Sequence, residues 1–217
     1  MSSGNGNSPS DKEYPGDCDF TAFLLKKAAT RQQCDAVGNL SREACLAKAK
    51  ELKLLLLDVD GVLTDGSITY NHEGEEIKSF NSKDGFGLNM LRKIGVEVGI
   101  ITARGSKALE RRCRDLSLVH IHQGVRNKVD AWRTIISDLG LNPKETGFIG
   151  DDWLDLPLLT KVGFAATVAD GAPELKNIVH FVADHKGGMG GVRDICDLII
   201  EAKGKREELL QEYLTRQ

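Results

Sequence analysis

Leu54-Leu55-Leu56-Leu57-Asp58-Val59-Asp60-Gly61-Val62-Leu63-Thr64-Asp65-Gly66 is the stretch from which the rest of the chain can be read. Four successive leucines do not alternate with polar residues, so the strand they predict is covered on both faces, as strands of a parallel sheet are. The acidic, glycine-bearing residues that follow have the composition of a loop leaving the sheet at a strand's carboxyl end. Short apolar runs at 98–101, 119–121, 147–149, 164–168 and 180–182 repeat the pattern, with segments between them long enough for crossover helices. The expectation is an α/β fold, a Rossmann-like doubly wound parallel sheet.

One segment breaks this rhythm. Residues 66–80 alternate apolar and polar side chains about Asn71-His72-Glu73-Gly74, which predicts a β-hairpin inserted directly after the first strand and its loop. Ahead of the strand, 19–53 carries Phe20, Phe23, Leu24 and Ala28 at helical spacing and a break at Gly38-Asn39, so two short helices are expected, the second capped by Ser41. Residues 1–17 are polar, with no apolar stretch behind a basic start, and read as a floppy tail rather than a secretory signal. The resulting boundaries are a tail and helical extension over 1–50, the main domain over 51–205 and a C-terminal tail over 206–217.

The 217 residues are 41% hydrophobic and 28% charged, which suits one core of ordinary domain size. Lys plus Arg number 29 against 32 Asp plus Glu, a net charge of -3 at pH 7, so no basic field recommends nucleic acid or an anionic membrane as a partner. No apolar run approaches the roughly 18 residues of a membrane span, and a cytoplasmic location is expected. The five cysteines, Cys18, Cys34, Cys45, Cys113 and Cys196, are odd in number and lack any CxxC, and are read as free thiols. His72, His120, His122, His180 and His185 share no ligand spacing and are read as structural or surface residues.

In a doubly wound sheet the ligand lies beyond the carboxyl ends of the strands. There the chain offers Asp58-Val59-Asp60 after the first strand, Thr102-Ala103-Arg104 after 98–101, and Gly150-Asp151-Asp152-Trp153-Leu154-Asp155 after 147–149, with Lys128 between the last two. Any single Asp here would serve as a helix N-cap. Several carboxylates converging on one sheet edge repel one another unless a cation holds them, and hard oxygen ligands suit Mg²⁺.

Asp58-Val59-Asp60-Gly61-Val62-Leu63-Thr64 resembles the first motif of the haloacid-dehalogenase phosphatases, and Thr102, Lys128 and Gly150-Asp151-Asp152 with Asp155 resemble its second, third and fourth, in order. From Asp58 to about Lys205 the chain is similar to the 3-deoxy-D-manno-octulosonate 8-phosphate phosphatases, capless members of that superfamily. The hairpin, Phe80-Asn81-Ser82-Lys83-Asp84-Gly85-Phe86-Gly87, Gln123-Gly124 and Gly187-Gly188-Met189-Gly190-Gly191-Val192-Arg193-Asp194 carry this closer likeness. Arg126-Asn127 departs from the acidic residues more usual ahead of the lysine.

The resemblance implies a Mg²⁺-dependent phosphatase acting on an acidic eight-carbon keto-sugar phosphate in lipopolysaccharide precursor synthesis, and a homotetramer. It implies Asp58 as nucleophile and Asp60 as general acid and then base. Thr102 and Lys128 would neutralise the phosphoryl group. Mg²⁺ would be held by Asp58, the backbone carbonyl of Asp60 and Asp151, supported by Asp152 and Asp155. Arg104, Asp84, Gly85 and Arg193 are the expected substrate-binding positions, and the glycine-rich run at 187–191 is expected to reach a neighbouring subunit. A phosphatase of nine-carbon keto-acid sugars and a catalytically silent oligomerisation module are the rival readings. A phospho-receiver domain also gathers Asp, Thr and Lys, but it takes phosphate on a later strand.

Overall fold

The structure, a computed structural model, describes residues 40–215. The N-terminal tail, the first expected helix, Cys18 and Cys34 lie outside the described residues. Helix α1 (Arg42–Lys50) opens where the sequence sets its cap: the Ser41 hydroxyl accepts the Ala44 N–H at 3.3 Å.

Six parallel strands form the sheet: β1 (Leu54–Leu57), β4 (Glu97–Ile101), β5 (His120–His122), β6 (Thr146–Ile149), β7 (Phe164–Thr167) and β8 (Phe181–Val182), in the order β5-β4-β1-β6-β7-β8. Strand β1 lies between β4 and β6, with Leu54–Leu57 in register with Glu97–Ile100 on one side and Thr146–Ile149 on the other. The chain winds outward one way through β4 and β5 and the other way through β6, β7 and β8, so the order reverses at β1. That reversal is where a doubly wound sheet opens a crevice at its carboxyl edge.

The four leucines are fully buried and divide by the period of two that a strand imposes. Leu55 and Leu57 enter a core shared with α1, α2 (Ser82–Lys93), α3 (Lys107–Asp115) and α7 (Gly191–Ala202), while Leu54 and Leu56 enter one shared with α4 (Lys128–Asp138) and α5 (Leu156–Leu159). Burying side chains of this size is worth about 1.5–3 kcal/mol each, which is why the run carries no polar residue. Helix α6 (Pro173–Lys176) bridges β7 and β8.

The hairpin is present as β2 (Thr69–Tyr70) and β3 (Glu76–Ile77), paired antiparallel. Two expectations shift. The third strand starts at His120 rather than Val119, whose side chain is turned out to solvent at 73% exposure. Beyond Lys205 the chain is not a loose tail up to Thr215 but helix α8 (Arg206–Thr215), with Leu209 buried and Tyr213 edge-on to Phe86 at 5.3 Å. The run at 187–191 is seated on its own chain: Gly187 donates to Asp170 Oδ1 at 2.9 Å and Gly188 to the Val62 carbonyl at 3.0 Å. A Cβ at Gly187 would run into the Gly61 carbonyl, so glycine there is what allows the turn to lie on the loop after β1.

Candidate active site

The loop after β1 is built around a threonine. Thr64 Oγ1 accepts the N–H groups of Gly61 (3.3 Å) and Gly66 (3.2 Å) and donates to the Val59 carbonyl (3.4 Å), while the Leu63 and Thr64 amides fold back onto that same carbonyl. Gly61 takes φ +86°, a conformation costly for a residue with a Cβ. Asp58 stays in the plane of the sheet, its N–H donating to the Ile149 carbonyl at 2.9 Å, so its side chain leaves the edge in a fixed direction.

That side chain meets Lys128 of α4 and the carboxylates of the loop after β6. Lys128, buried at the start of α4, donates from Nζ to Asp58 Oδ1 at 2.8 Å and to Asp155 Oδ1 at 2.6 Å. Burial pulls the lysine pKa down, but Asp155 and Asp58 push harder, and the ammonium is held above its ordinary range. Asp155 is fully employed: its other oxygen accepts the N–H of Asp151 at 2.9 Å and, more weakly, that of Asp152 at 3.4 Å. It therefore works as a strut that shapes the loop after β6 and orients Lys128. Asp152 is exposed and accepts the Trp153 N–H at 2.7 Å.

Asp151 has no such partner charge. Burial first, then the charges of Asp155, Asp58 and Asp152, push its carboxyl up to about 7, with Lys128 only partly opposing them. Its oxygens lie where a Cβ on Gly61 would be, which sets them against the loop after β1. Asp58, Asp151 and Asp155 each bring a carboxylate oxygen within 4.8 Å of the others. Hard oxygen donors crowded to this degree, one of them forced toward its protonated form, fit a divalent cation of the Mg²⁺ type.

Thr102, at the end of β4, is buried, and its Oγ1 accepts the Arg104 N–H at 3.3 Å, which leaves the hydroxyl proton to donate. Arg104 lies over the same edge, held by Tyr70 and by Glu76 Oε1 at 3.1 Å, with Nε 3.7 Å from Asp60 Oδ2. The arrangement is a recessed anionic pocket with a buried cation on one side and a half-exposed guanidinium on the other. Such a set can accept a phosphoryl group at an acid oxygen and neutralise its spreading charge.

Comparison with known proteins agrees. A family model described as haloacid dehalogenase-like hydrolase matches residues 115–195. The 3-deoxy-D-manno-octulosonate 8-phosphate phosphatase of Escherichia coli K12 is 42% identical over 185 residues, 85% of this chain and 97% of that protein. The crystal structure of the Yersinia pestis phosphatase of the same name superposes with a TM-score of 0.74 at 40% identity, covering 75% of this chain and 88% of that one. The Moraxella catarrhalis phosphatase, solved in complex with a magnesium ion, a phosphate ion and KDO, gives a TM-score of 0.77 at 36% identity, covering 79% and 98%. The chain belongs to the 3-deoxy-D-manno-octulosonate 8-phosphate phosphatase family. It is a phosphoric monoester hydrolase.

Within this phosphatase, Asp58, Lys128, Asp151 and Asp155 lie together, and Thr102 stands at the end of β4, the strand beside β1. Asp84, Gly85 and Arg193 do not join them. Asp84 is buried between α2 and α7, where Oδ1 accepts the Arg193 N–H at 2.8 Å and Oδ2 the Gly190 N–H at 3.3 Å, so both its oxygens are spent on the start of α7. Gly85 is small because the Arg112 guanidinium lies against it and donates to the Asn81 carbonyl at 3.1 Å. Arg193 pairs with Asp197 at 2.8 Å and stands over the Phe86 ring.

Sequence reasoning missed two residues, Glu76 and Lys78, which the hairpin delivers to Asp60. The Lys78 side chain is 2% exposed and pairs with Asp60 Oδ1 and, at 3.0 Å, with Glu76 Oε1. Burial works to raise the Glu76 carboxyl, but Lys78 and Arg104 outweigh it and hold it below the usual range. The available signal was the alternation of 66–80: Glu76 and Lys78 turn to the site together with Tyr70, which lies opposite Glu76 and holds Arg104, while Ile77, opposite Thr69, is half exposed on the other face.

Proposed function

We propose that the protein hydrolyses 3-deoxy-D-manno-octulosonate 8-phosphate to the free sugar acid and phosphate. The observation that carries this reading is the Asp58, Asp151, Asp155 and Lys128 cluster at the reversal point of the sheet, in a chain so close to phosphatases of that substrate. Asp58 Oδ attacks phosphorus, the bond from phosphorus to the sugar oxygen breaks, and Asp60 gives its proton to that departing oxygen. A water molecule then attacks the aspartyl phosphate while Asp60 takes its proton, releasing phosphate and restoring Asp58.

Asp58, Asp151 and the Asp60 backbone carbonyl would hold Mg²⁺, which when bound shields the nucleophile from the phosphate's charge. Lys128 neutralises the equatorial oxygens opposite, and the Thr102 hydroxyl donates to one of them. Arg104 faces the same pocket and offers a planar fork for the carboxylate of a sugar acid. The protein works in the cytoplasm as a homotetramer.

Phosphate release from a panel of sugar phosphates, with and without Mg²⁺, tests the reading. The eight-carbon keto-acid substrate is expected to turn over only with Mg²⁺, and Asp58→Asn to abolish release while its circular dichroism stays that of the parent. Preference for a nine-carbon substrate would reassign the sugar. Silence on every phosphate would leave an assembly module.

A further inference from the structure

The hairpin raises a question that the phosphatase motifs do not answer. A lysine ammonium is among the groups least often buried without a partner, and Lys78 is buried by the act of reaching Asp60 from the far side of an inserted loop. Its two partners are the acid itself and Glu76, two residues back at the start of β3, which fixes the lysine's approach. Asp60 consequently has unequal oxygens. Oδ1 accepts from Lys78, whereas among the described residues Oδ2 has only Arg104 Nε at 3.7 Å, beyond hydrogen-bond range. Asp60 sits on a glycine-rich loop and its side chain is 21% exposed, so nothing else in its surroundings fixes the carboxyl rotation as tightly.

We infer that Lys78 is a positioning residue for the general acid: by tethering Oδ1 of Asp60 it turns Oδ2 toward the leaving oxygen, making Oδ2 the atom that delivers the proton. Glu76 holds the lysine from behind. The hairpin is thus part of the proton-transfer apparatus, and a substrate is served by a correctly aimed acid only while β2 and β3 are folded against the site. Misdirecting an acid by about 1 Å can cost as much as a hundredfold.

The inference rests on the phosphatase reading, and the test separates the two. An alkoxide leaving from a sugar needs the proton, whereas nitrophenolate departs without one. The ratio kcat/KM reports the step that expels the leaving group and is blind to the later hydrolysis of the aspartyl phosphate. The parent, Lys78→Met, Lys78→Arg and, as a reference, Asp60→Asn are assayed with 3-deoxy-D-manno-octulosonate 8-phosphate and with p-nitrophenyl phosphate.

For Lys78→Met, kcat/KM on the sugar phosphate is expected to fall about 10²-fold, within the range that general acid catalysis contributes. On p-nitrophenyl phosphate it is expected to fall less than about tenfold, the same leaving-group bias as Asp60→Asn but smaller. Lys78→Arg should lie between Met and the parent, and is read in place of Met should that variant not fold. Equal losses on both substrates would overturn the inference, since a damaged fold or a lost phosphate contact does not distinguish leaving groups. So would a rise in KM alone, which marks a substrate contact, or no change at all. A parent inactive on both phosphates would instead overturn the phosphatase reading, and the inference with it.

Discussion

Asp151 stands apart among the residues of the pocket, because its neighbours are carboxylates and its compensating lysine is turned toward Asp58 and Asp155. With its carboxyl pushed up to about 7, the metal-free fold keeps a proton that the unfolded chain gives up in the ordinary carboxylate range. The group therefore costs stability progressively as pH rises from that range to about 7, and the full cost persists above it. A cation competes with the same proton. Magnesium affinity is expected to tighten by up to about tenfold per pH unit below 7 and to level off above it. Titration calorimetry in buffers of different ionisation enthalpy should find about one proton released per Mg²⁺ at pH 6 and nearly none at pH 8; affinity that stays flat across that interval would remove Asp151 from the ligand set.

Residues of this kind were legible in the chain because their spacing is local to strand ends: Asp58 and Thr102 follow an apolar run directly, and Asp151 follows one after a single glycine. Lys128 was legible only as one member of an ordered set, and its contact with Asp155 depends on how α4 docks against the loop after β6. Lys78 was not legible, because alternation in a hairpin says that its two faces differ without saying which one faces the site.

Among the elements, α7 shows how a polar residue acquires a role that no local pattern announces. The helix begins after Gly190 at φ +108° with no side-chain cap of its own, and the amides of Gly190 and Arg193 would be stranded in the interior. Asp84, from the first turn of α2, accepts both. A carboxylate at a helix N-terminus also meets the favourable end of the helix dipole. Its place in a family-like segment made it resemble a substrate ligand, whereas the contact that employs it lies far along the chain. Asp84→Ala is accordingly expected to lower unfolding free energy by about 1–3 kcal/mol. Specific activity at a temperature where the variant is folded should match the parent. A variant of parental stability with a raised KM would return Asp84 to the substrate pocket. The central strands, by contrast, were readable almost to the residue, since doubly covered strands need unbroken apolar runs and the four leucines of β1 leave no other assignment.

At the scale of the whole molecule, the hairpin's exposed apolar side chains remain to be accounted for. Ile68 at 52%, Tyr70 at 58% and Ile77 at 50% exposure stand on or just before strands only two residues long, and a two-stranded ribbon of that length is marginal alone. Exposed apolar side chains on both faces of the ribbon, Tyr70 opposite Glu76 and Ile77 opposite Thr69, are the reverse of what a solvated flap requires, but they suit a ribbon that other copies cover while Glu76 and Lys78 serve the site. We therefore expect the proposed homotetramer to be assembled through these hairpins, each copy's exposed apolar side chains burying another's. Light scattering of the parent at micromolar concentration should give about four times the chain mass of 23.7 kDa, and Tyr70→Lys combined with Ile77→Lys should lower it toward that of the single chain. In such an assembly the site and the interface share one element, so the same double variant should also lose turnover of the sugar phosphate, more so than of p-nitrophenyl phosphate, as Lys78 loses its hold on Asp60. A double variant that falls to a monomer with its leaving-group preference intact would separate assembly from the aiming of the acid, and a parent already monomeric would leave the apolar face without a second copy to cover it.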